Sequence, residues 1–393
     1  RQADKAFSQS PAHSARAAMT LCPPCPTTWP SAGGRPPADS PAAIREGPRR
    51  QASAREYTRA ISGFRRQRLW EAALGVLEEM RRCGLLPDLI TSSAAISACE
   101  AAGQWAHALA LLEDVVRRDL RPDVVACSAA ISACEKGGEW RRALGLLVAM
   151  PLQAVTPEVI SHNAAISACE KGGEWQWALE VLGQMGRSAV LPSVVTYSAA
   201  ISACEKGARW QHALALLGEL WRSGLEPGVI ACSAAISACG KGGQWERSLD
   251  LLQAMDGCTI RLNEVTCNAA ISSCEKGGQW QRGLMLLGMM PQLCLEANVI
   301  SCTAAMSACE REGKWWSLLA LFQSTYQLRI SPTVVGCNAA VSACEKGGQG
   351  QACPEVLGVM PHFNSIPVLI SCRAAHGCRR QRPHQCSGGR RKK

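Results

Sequence analysis

Three kinds of side chain that could bind or react recur along this sequence at a spacing of 35 residues. The first is a thiol, at Cys99, Cys134, Cys169, Cys204, Cys239, Cys274, Cys309 and Cys344. The second is a cation, at Lys136, Lys171, Lys206, Lys241, Lys276, Arg311 and Lys346. The third is a short hydroxyl or amide, at Thr58, Ser93, Ser128, Asn163, Ser198, Ser233, Asn268, Thr303 and Asn338. Thiols can ligate metals or form disulfides, cations can hold anions, and short hydroxyls and amides both donate and accept hydrogen bonds.

The thiols are predicted to be structural. If they sit on successive packed helices, they are roughly 9–10 Å apart, whereas a disulfide needs Cα atoms within about 7 Å. Free cysteines behave as small buried apolar residues and indicate a reducing compartment. The pair Cys22 and Cys25 has CxxC spacing, but no second pair or histidine partner accompanies it. We therefore predict neither a metal site nor a cofactor.

The elements that position these residues can be read from 194–228. Val194, Tyr197, Ile201 and Cys204 lie on one face of a helix, which Gly207 ends. A second apolar helical stripe begins at Trp210, and Pro227 prevents the helix from continuing into the next unit. Each unit thus predicts two antiparallel helices of about 11–13 residues. Tryptophans at the same spacing are predicted to fill the core between helices: Trp70, Trp105, Trp140, Trp175, Trp210, Trp245, Trp280 and Trp315.

This period predicts an all-α solenoid in which each unit packs on its neighbours. The nine predicted repeats are 54–88, 89–123, 124–158, 159–193, 194–228, 229–263, 264–298, 299–333 and 334–368. In the ninth, Pro354 is expected to damage the second helix. Residues 369–393 hold a partial repeat and a basic tail. Residues 1–53 are rich in Pro, Ser, Ala and Arg, a composition that favours disorder and resembles an organelle transit peptide.

The net charge of +10 is concentrated in the tails. Residues 54–368 carry 27 basic and 29 acidic side chains, a net charge of −2, and a glutamate precedes the recurring lysine in most repeats. Bulk charge therefore gives little support for nucleic-acid binding by the repeats. No window of about 18 apolar residues is present to cross a membrane. No phosphate loop, metal cluster or catalytic triad is evident, so we predict that the chain is not an enzyme.

A 35-residue helix-turn-helix with VVTYS at its start, KGG at its turn, ALxLL in the second helix and GLxP at its close resembles the P-type pentatricopeptide repeat. The resemblance implies a right-handed superhelix that binds single-stranded RNA, about one base per repeat. RNA-processing members of that family carry an extra catalytic domain, for which the residues after the repeats are too few. The resemblance further implies a monomer in an organelle, with the chloroplast favoured over the mitochondrion. It would bind an organellar transcript and act in its processing, stabilisation or translation.

The resemblance also assigns roles to repeat positions. The second residue would sandwich the base: Ile90, Val125, Ile160, Val195, Ile230, Val265, Ile300 and Val335. The fifth residues given above would read the base together with the last residue of the repeat: Asp88, Asp123, Glu158, Ser193, Gly228, Asn263, Asn298 and Thr333. The recurring cations would contact phosphate. In the family, Thr or Ser with Asp reads guanine, Ser with Asn adenine, and Asn with Asn or Ser a pyrimidine.

The family pattern implies a target 5′-GGNYNAYNN-3′, where N is any nucleotide and Y a pyrimidine. Other roles remain open at each position. The fifth residue, in the first turn of a helix, could be an N-terminal cap. The cation could interact with the helix dipole or be a solvated surface charge. The chain could also be a protein-interaction scaffold that holds a peptide in the same groove, and the net charge of −2 favours that alternative.

Overall fold

The computed structural model describes residues 53–258, 260–327 and 334–346, which form seventeen α-helices and no β-strand. The first helix of each pair is odd-numbered: α1 (Ala54–Gln67), α3 (Leu89–Ala101), α5 (Val124–Gly137), α7 (Val159–Gly172), α9 (Val194–Lys206), α11 (Val229–Lys241), α13 (Glu264–Lys276), α15 (Val299–Arg311) and α17 (Val334–Lys346). The second helix is even-numbered: α2 (Trp70–Arg82), α4 (Trp105–Arg117), α6 (Trp140–Leu152), α8 (Trp175–Arg187), α10 (Trp210–Arg222), α12 (Trp245–Gly257), α14 (Trp280–Met289) and α16 (Trp315–Gln327). The predicted all-α array of helical hairpins is confirmed. The predicted tails and the second helix of the ninth repeat lie outside the described residues.

Contacts divide the chain into two compact units, one ending at Ala203 and the other beginning at Cys204. Within each unit, successive first helices pack side by side, for example α3 on α5 and α13 on α15. First helices also contact second helices: α3, for example, packs on α4 of its own pair and on α2 of the preceding pair. The first helices therefore form one continuous layer of a unit and the second helices the other. None of the helices in the described ranges is long and apolar enough to cross a bilayer.

A tight turn joins the two helices of a repeat. After α5, Gly138 adopts a left-handed φ of 75°, and the N–H of Glu139 donates to the Cys134 carbonyl at 2.9 Å. Glycine adopts this conformation without strain. The fifth repeat departs from the pattern, because Ala208 occupies the same position with a φ of 53°. Its Cβ makes the left-handed conformation unfavourable there.

Neighbouring repeats are joined by the tryptophan that begins each second helix. The Trp105 ring lies against Gly137 of the next repeat so closely that a Cβ at Gly137 would be 2.1 Å from Trp105 Cδ1. The Arg142 guanidinium lies over the same ring, 4.1 Å from its centroid, a cation–π contact. Equivalent glycines meet Trp140, Trp210 and Trp245. The regular approach of tryptophan to glycine fixes how one first helix is placed beside the next.

Candidate functional site

The second residue of each first helix from α3 onward is a branched aliphatic side chain that faces solvent. Their exposed fractions run from 58% at Val335 to 71% at Ile230, whereas the next residue along, such as Thr91, is buried. The exposed set is Ile90, Val125, Ile160, Val195, Ile230, Val265, Ile300 and Val335. Folding does not account for this pattern, because their apolar surface stays in water. The column provides one apolar contact surface per repeat.

The fifth residue lies one helical turn after the exposed aliphatic residue, on the same face of the helix. Its side chain does not cap the helix. The Ser198 hydroxyl donates to the Val194 carbonyl at 2.7 Å, and the Thr303 hydroxyl donates to Val299 at 2.6 Å. Both are bonds back to the residue four positions earlier, within the helix. The alternative that these residues serve as N-terminal caps is therefore wrong.

The caps are instead supplied by the last residue of the preceding repeat. Asp88, Asp123 and Asn263 each accept a hydrogen bond through Oδ1 from a backbone N–H in the first turn of the next helix, all at 2.8 Å. Glu158 and Gly228 stand at the same position without a side-chain cap. Sequence reasoning assigned only base reading to this position. The capping role could have been found from Asp and Asn directly before a predicted helix start.

The two residues predicted to read one base meet in the second and seventh repeats. Ser93 Oγ donates to Asp123 Oδ1 at 3.1 Å, and Asn268 Nδ2 donates to Asn298 Oδ1 at 3.4 Å. Asn268 Oδ1 is buried without a hydrogen-bond partner among the described residues. Fifth and last residues, 30 positions apart in sequence, thus lie within reach of one ligand group in these repeats.

Elsewhere in the first unit, the fifth residue bonds to a buried hydroxyl at the third position of the following repeat. The Ser128 and Ser161 hydroxyls are 2.8 Å apart, and the Thr196 hydroxyl donates to Asn163 Oδ1 at 2.5 Å. This third position was not predicted from the sequence, although its recurrent Thr and Ser were a visible signal. Thr333, the last residue of the eighth repeat, lies outside the described residues. Its predicted partnership with Thr303 stays a prediction.

A cavity of about 660 Å³ brings the predicted elements of one site together. It lies on α1, α3 and the start of α5. Its lining includes two exposed aliphatic residues, one reading pair and two arginines: Ile90, Val125, Ser93, Asp123, Arg65 and Arg66. Both arginines are exposed and make no ion pair within the described ranges. An apolar slot, hydrogen-bonding groups and positive charge therefore occur together in the first unit.

Ion pairs join the recurring cation of one repeat to a glutamate of the repeat before, 36 residues earlier. The N–O distances are 2.9 Å for Lys136–Glu100, 3.0 Å for Lys171–Glu135, 3.1 Å for Lys241–Glu205, 4.0 Å for Arg311–Glu275 and 3.1 Å for Lys346–Glu310. We call these pairs the lysine–glutamate ladder. The predicted phosphate-contacting groups are thus partly neutralised. The spacing of 36 residues between Glu and Lys was a signal that sequence reasoning did not use.

The thiol column is buried and free. The cysteines that recur every 35 residues from Cys99 to Cys309 are 0% exposed and carry no disulfide. Burial raises the pKa of the Cys99 thiol to about 12 and that of Cys239 to about 11. Such thiols stay protonated at neutral pH and are poor nucleophiles. In the ranges that the structure describes, no cluster of His, Cys, Asp and Glu could hold a metal ion.

Two family profiles match the chain over more than half its length. The profile described as pentatricopeptide repeat domain matches residues 110–172 and 166–207. The profile described as PPR repeat matches residues 57–85, 195–225, 230–260 and 265–295. No match was found among curated proteins.

Solved structures with a similar fold include the pentatricopeptide repeat protein PPR10 from maize, at a TM-score of 0.54 and 21% identity over 84% of this chain and 52% of that one. The chain spans about half the length of that protein, and the likeness concerns the fold alone. PPR10 in complex with an 18-nt psaJ RNA element matches at a TM-score of 0.37 and 20% identity, over 85% and 58% of the two chains. The PPR domain of Arabidopsis thaliana protein-only RNase P 1 (PRORP1), in complex with tRNA, matches at a TM-score of 0.42 and 12% identity, over 46% of this chain and 95% of that one.

Proposed function

The chain belongs to the pentatricopeptide repeat family, and from that membership we propose that it binds single-stranded RNA along the layer of first helices. The observation that carries the proposal is the cavity of the first unit. There, two exposed aliphatic residues flank the hydrogen-bonded pair of Ser93 and Asp123. An apolar slot with a hydrogen-bonding end suits a planar base with polar edges.

Each part of the cavity has a chemical role in base binding. Ile90 and Val125 present branched side chains to the two faces of an inserted base and bury its apolar surface. One carboxylate oxygen of Asp123 caps α5, and the other can accept hydrogen bonds from guanine. Arg65 and Arg66 supply the positive charge that a sugar-phosphate backbone requires. The arrangement favours a guanine nucleotide at the second repeat.

We extend the same reading to the other repeats, one base for each. Asn268 with Asn298 would then favour a pyrimidine at the seventh repeat, and the target pattern remains 5′-GGNYNAYNN-3′. The protein would act without catalysis of its own, as a monomer that protects or remodels an organellar transcript. The composition of residues 1–53 supports an organelle, and we place the chloroplast before the mitochondrion.

The test is selection from a randomised single-stranded RNA pool at near-physiological salt, with the bound fraction sequenced. We expect enrichment of a motif with two guanines near its 5′ end. Recovery without enrichment would show binding through charge alone and would refute one-base-per-repeat reading. Failure to recover RNA would refute the proposed function and leave a peptide-binding scaffold as the better account of the groove.

A further inference from the structure

The lysine–glutamate ladder has a gap in the second unit. Lys241, Arg311 and Lys346 each pair with a glutamate of the preceding repeat. For Lys276 the matching position is Gly240, which has no side chain. Within the described part of the chain, Lys276 is exposed and makes no ion pair. Resting on the proposed RNA binding, we propose that Lys276 is the principal phosphate contact of the second unit. Among Lys241, Lys276, Arg311 and Lys346 in the described residues, it is the cation that makes no ion pair with a neighbouring repeat.

The ladder weakens phosphate binding at the other cations of the unit. Lys241 Nζ donates to the Glu205 carboxylate at 3.1 Å and to the Glu205 backbone carbonyl at 3.2 Å. A phosphate approaching Lys241 must displace that carboxylate or tolerate its negative charge nearby. At Lys276 no carboxylate of a neighbouring repeat has to be displaced, so its positive charge is more available to the backbone of a bound RNA.

The carboxylate next to Lys276 in sequence does not fill the gap. Glu275 is directed toward Arg311, 4.0 Å away. Burial raises the pKa of Glu275, and the charges of Arg311 and Lys276 oppose that rise. Glu275 is thus shared between two cations and is half-buried, whereas Lys276 extends into solvent.

Lys276 is also placed on the ligand-facing stripe of its helix. Val265, Asn268 and Lys276 are spaced along α13 at i, i+3 and i+11, which puts them on one helix face. At a rise of 1.5 Å per residue, Lys276 lies about 12 Å along the axis from Asn268, and a lysine side chain leans back toward the helix N-terminus. A strand whose base rests on Val265 therefore passes within reach of the ammonium group.

Gly240 is matched by a second unusual residue in the next repeat. Ser273 stands where the other described repeats of this unit carry the small residues Ala238, Ala308 and Ala343. A Cβ at Gly240 would be 3.1 Å from the Ser273 Cβ, and the buried Ser273 Oγ has no hydrogen-bond partner among the described residues. A glutamate that closes the gap is therefore combined with alanine at Ser273, which removes the Oγ 3.5 Å from that Cβ and restores the combination found at Glu205 and Ala238.

The experiment measures the salt dependence of binding between the full chain and a fluorescein-labelled RNA pool of the pattern 5′-GGNYNAYNN-3′, from about 50 to 200 mM salt. Lys276→Gln should reduce the steepness of the fall of log K with log salt by about 0.7, the value for one phosphate on a single strand, and weaken binding equally for all sequences. Gly240→Glu with Ser273→Ala should give the same loss. Glu205→Gln should increase the steepness of that fall by a similar amount, because it releases Lys241.

Ser273→Ala alone is the matched control and should leave the slope unchanged, and circular dichroism checks that each variant is folded. If the unmodified protein binds RNA but Lys276→Gln leaves the slope as it was, the inference is overturned and the proposed function stands. If Glu205→Gln fails to increase the steepness of the salt dependence, shielding by the lysine–glutamate ladder is wrong. If the unmodified protein binds no RNA, the proposed function itself fails.

Discussion

Asp123 combines two roles that one substitution can separate. Its Oδ1 caps α5 by accepting from the Ala126 N–H at 2.8 Å and also accepts from Ser93 Oγ at 3.1 Å. In Asp123→Asn the amide oxygen can keep the cap, since Asn and Asp cap helices about equally well. The amide NH₂ then replaces the oxygen that would accept from guanine. We therefore expect folding to change by less than about 1 kcal/mol, whereas base preference changes.

The expected loss for guanine follows from the bond that is removed. A hydrogen bond to a charged group contributes about 1.5–3 kcal/mol, which corresponds to roughly 10- to 150-fold in affinity. Adenine should be preferred at the second base of the target, because the family reads adenine with Ser and Asn. The assay is fluorescence anisotropy with two RNA pools that differ only in G or A at that base.

Asp119→Asn is the matched control for the lost negative charge. Asp119 lies exposed in the loop after α4 with a φ of 55°, a conformation that Asn tolerates. This variant should keep the preference for guanine. If Asp123→Asn also keeps the preference and the affinity for guanine, Asp123 caps a helix and reads no base, and the assignment of the last residue fails.

Four further predictions concern stability and reactivity. Gly137→Ala should destabilise the first unit by about 1–3 kcal/mol through overpacking against Trp105, seen as a lower thermal midpoint. Gly145→Ala is the control and should be neutral or stabilising, because its Cβ would meet open space. Equal midpoints for the two variants would refute the tight contact. Ala208→Gly should stabilise by about 1 kcal/mol in urea unfolding, since it relieves a left-handed Cβ, and no gain would show that the turn is unstrained. Iodoacetamide at neutral pH should spare the buried cysteines from Cys99 to Cys309, and peptide mapping should place label on the exposed thiols Cys83, Cys258 and Cys294. Burial raises the pKa of the Cys99 thiol to about 12 and that of Cys274 to about 11, from an ordinary value of 9.0. The free energy of unfolding should therefore fall as pH rises above about 9, because the unfolded state then loses protons that the folded state keeps. A flat alkaline profile would contradict the burial of these thiols.

The helices could be predicted because their determinants are local and repeated. Apolar stripes, a glycine after each first helix and a tryptophan at the start of each second helix occur in nearly every copy. The repetition separates these signals from chance, so even short helices could be placed. The exposed aliphatic column could be located as well, although only the structure shows that residues such as Ile230 face solvent.

The partners of side chains across repeats could not be predicted in the same way. The role of Asp123 depends on whether its carboxylate turns to its own repeat or to the next helix, and both are within reach. The ladder depends on how far one first helix is shifted along its neighbour, which the contact of Trp105 with Gly137 fixes. That shift aligns Lys136 with Glu100, whereas sequence alone suggests the adjacent Glu135 as its neighbour.

The cap that ends each repeat affects how such proteins can be rebuilt from modules. If repeats from two different proteins are joined after residue 123, Asp123 comes from one protein and α5 from the other. The helix start and its cap are then no longer matched. A junction in the left-handed turn at Gly138 instead leaves cap and helix in one piece and cuts between two helices of the same hairpin. Recombination of repeats, in the laboratory or in a genome, should therefore be tolerated better at that turn than at the boundary between repeats.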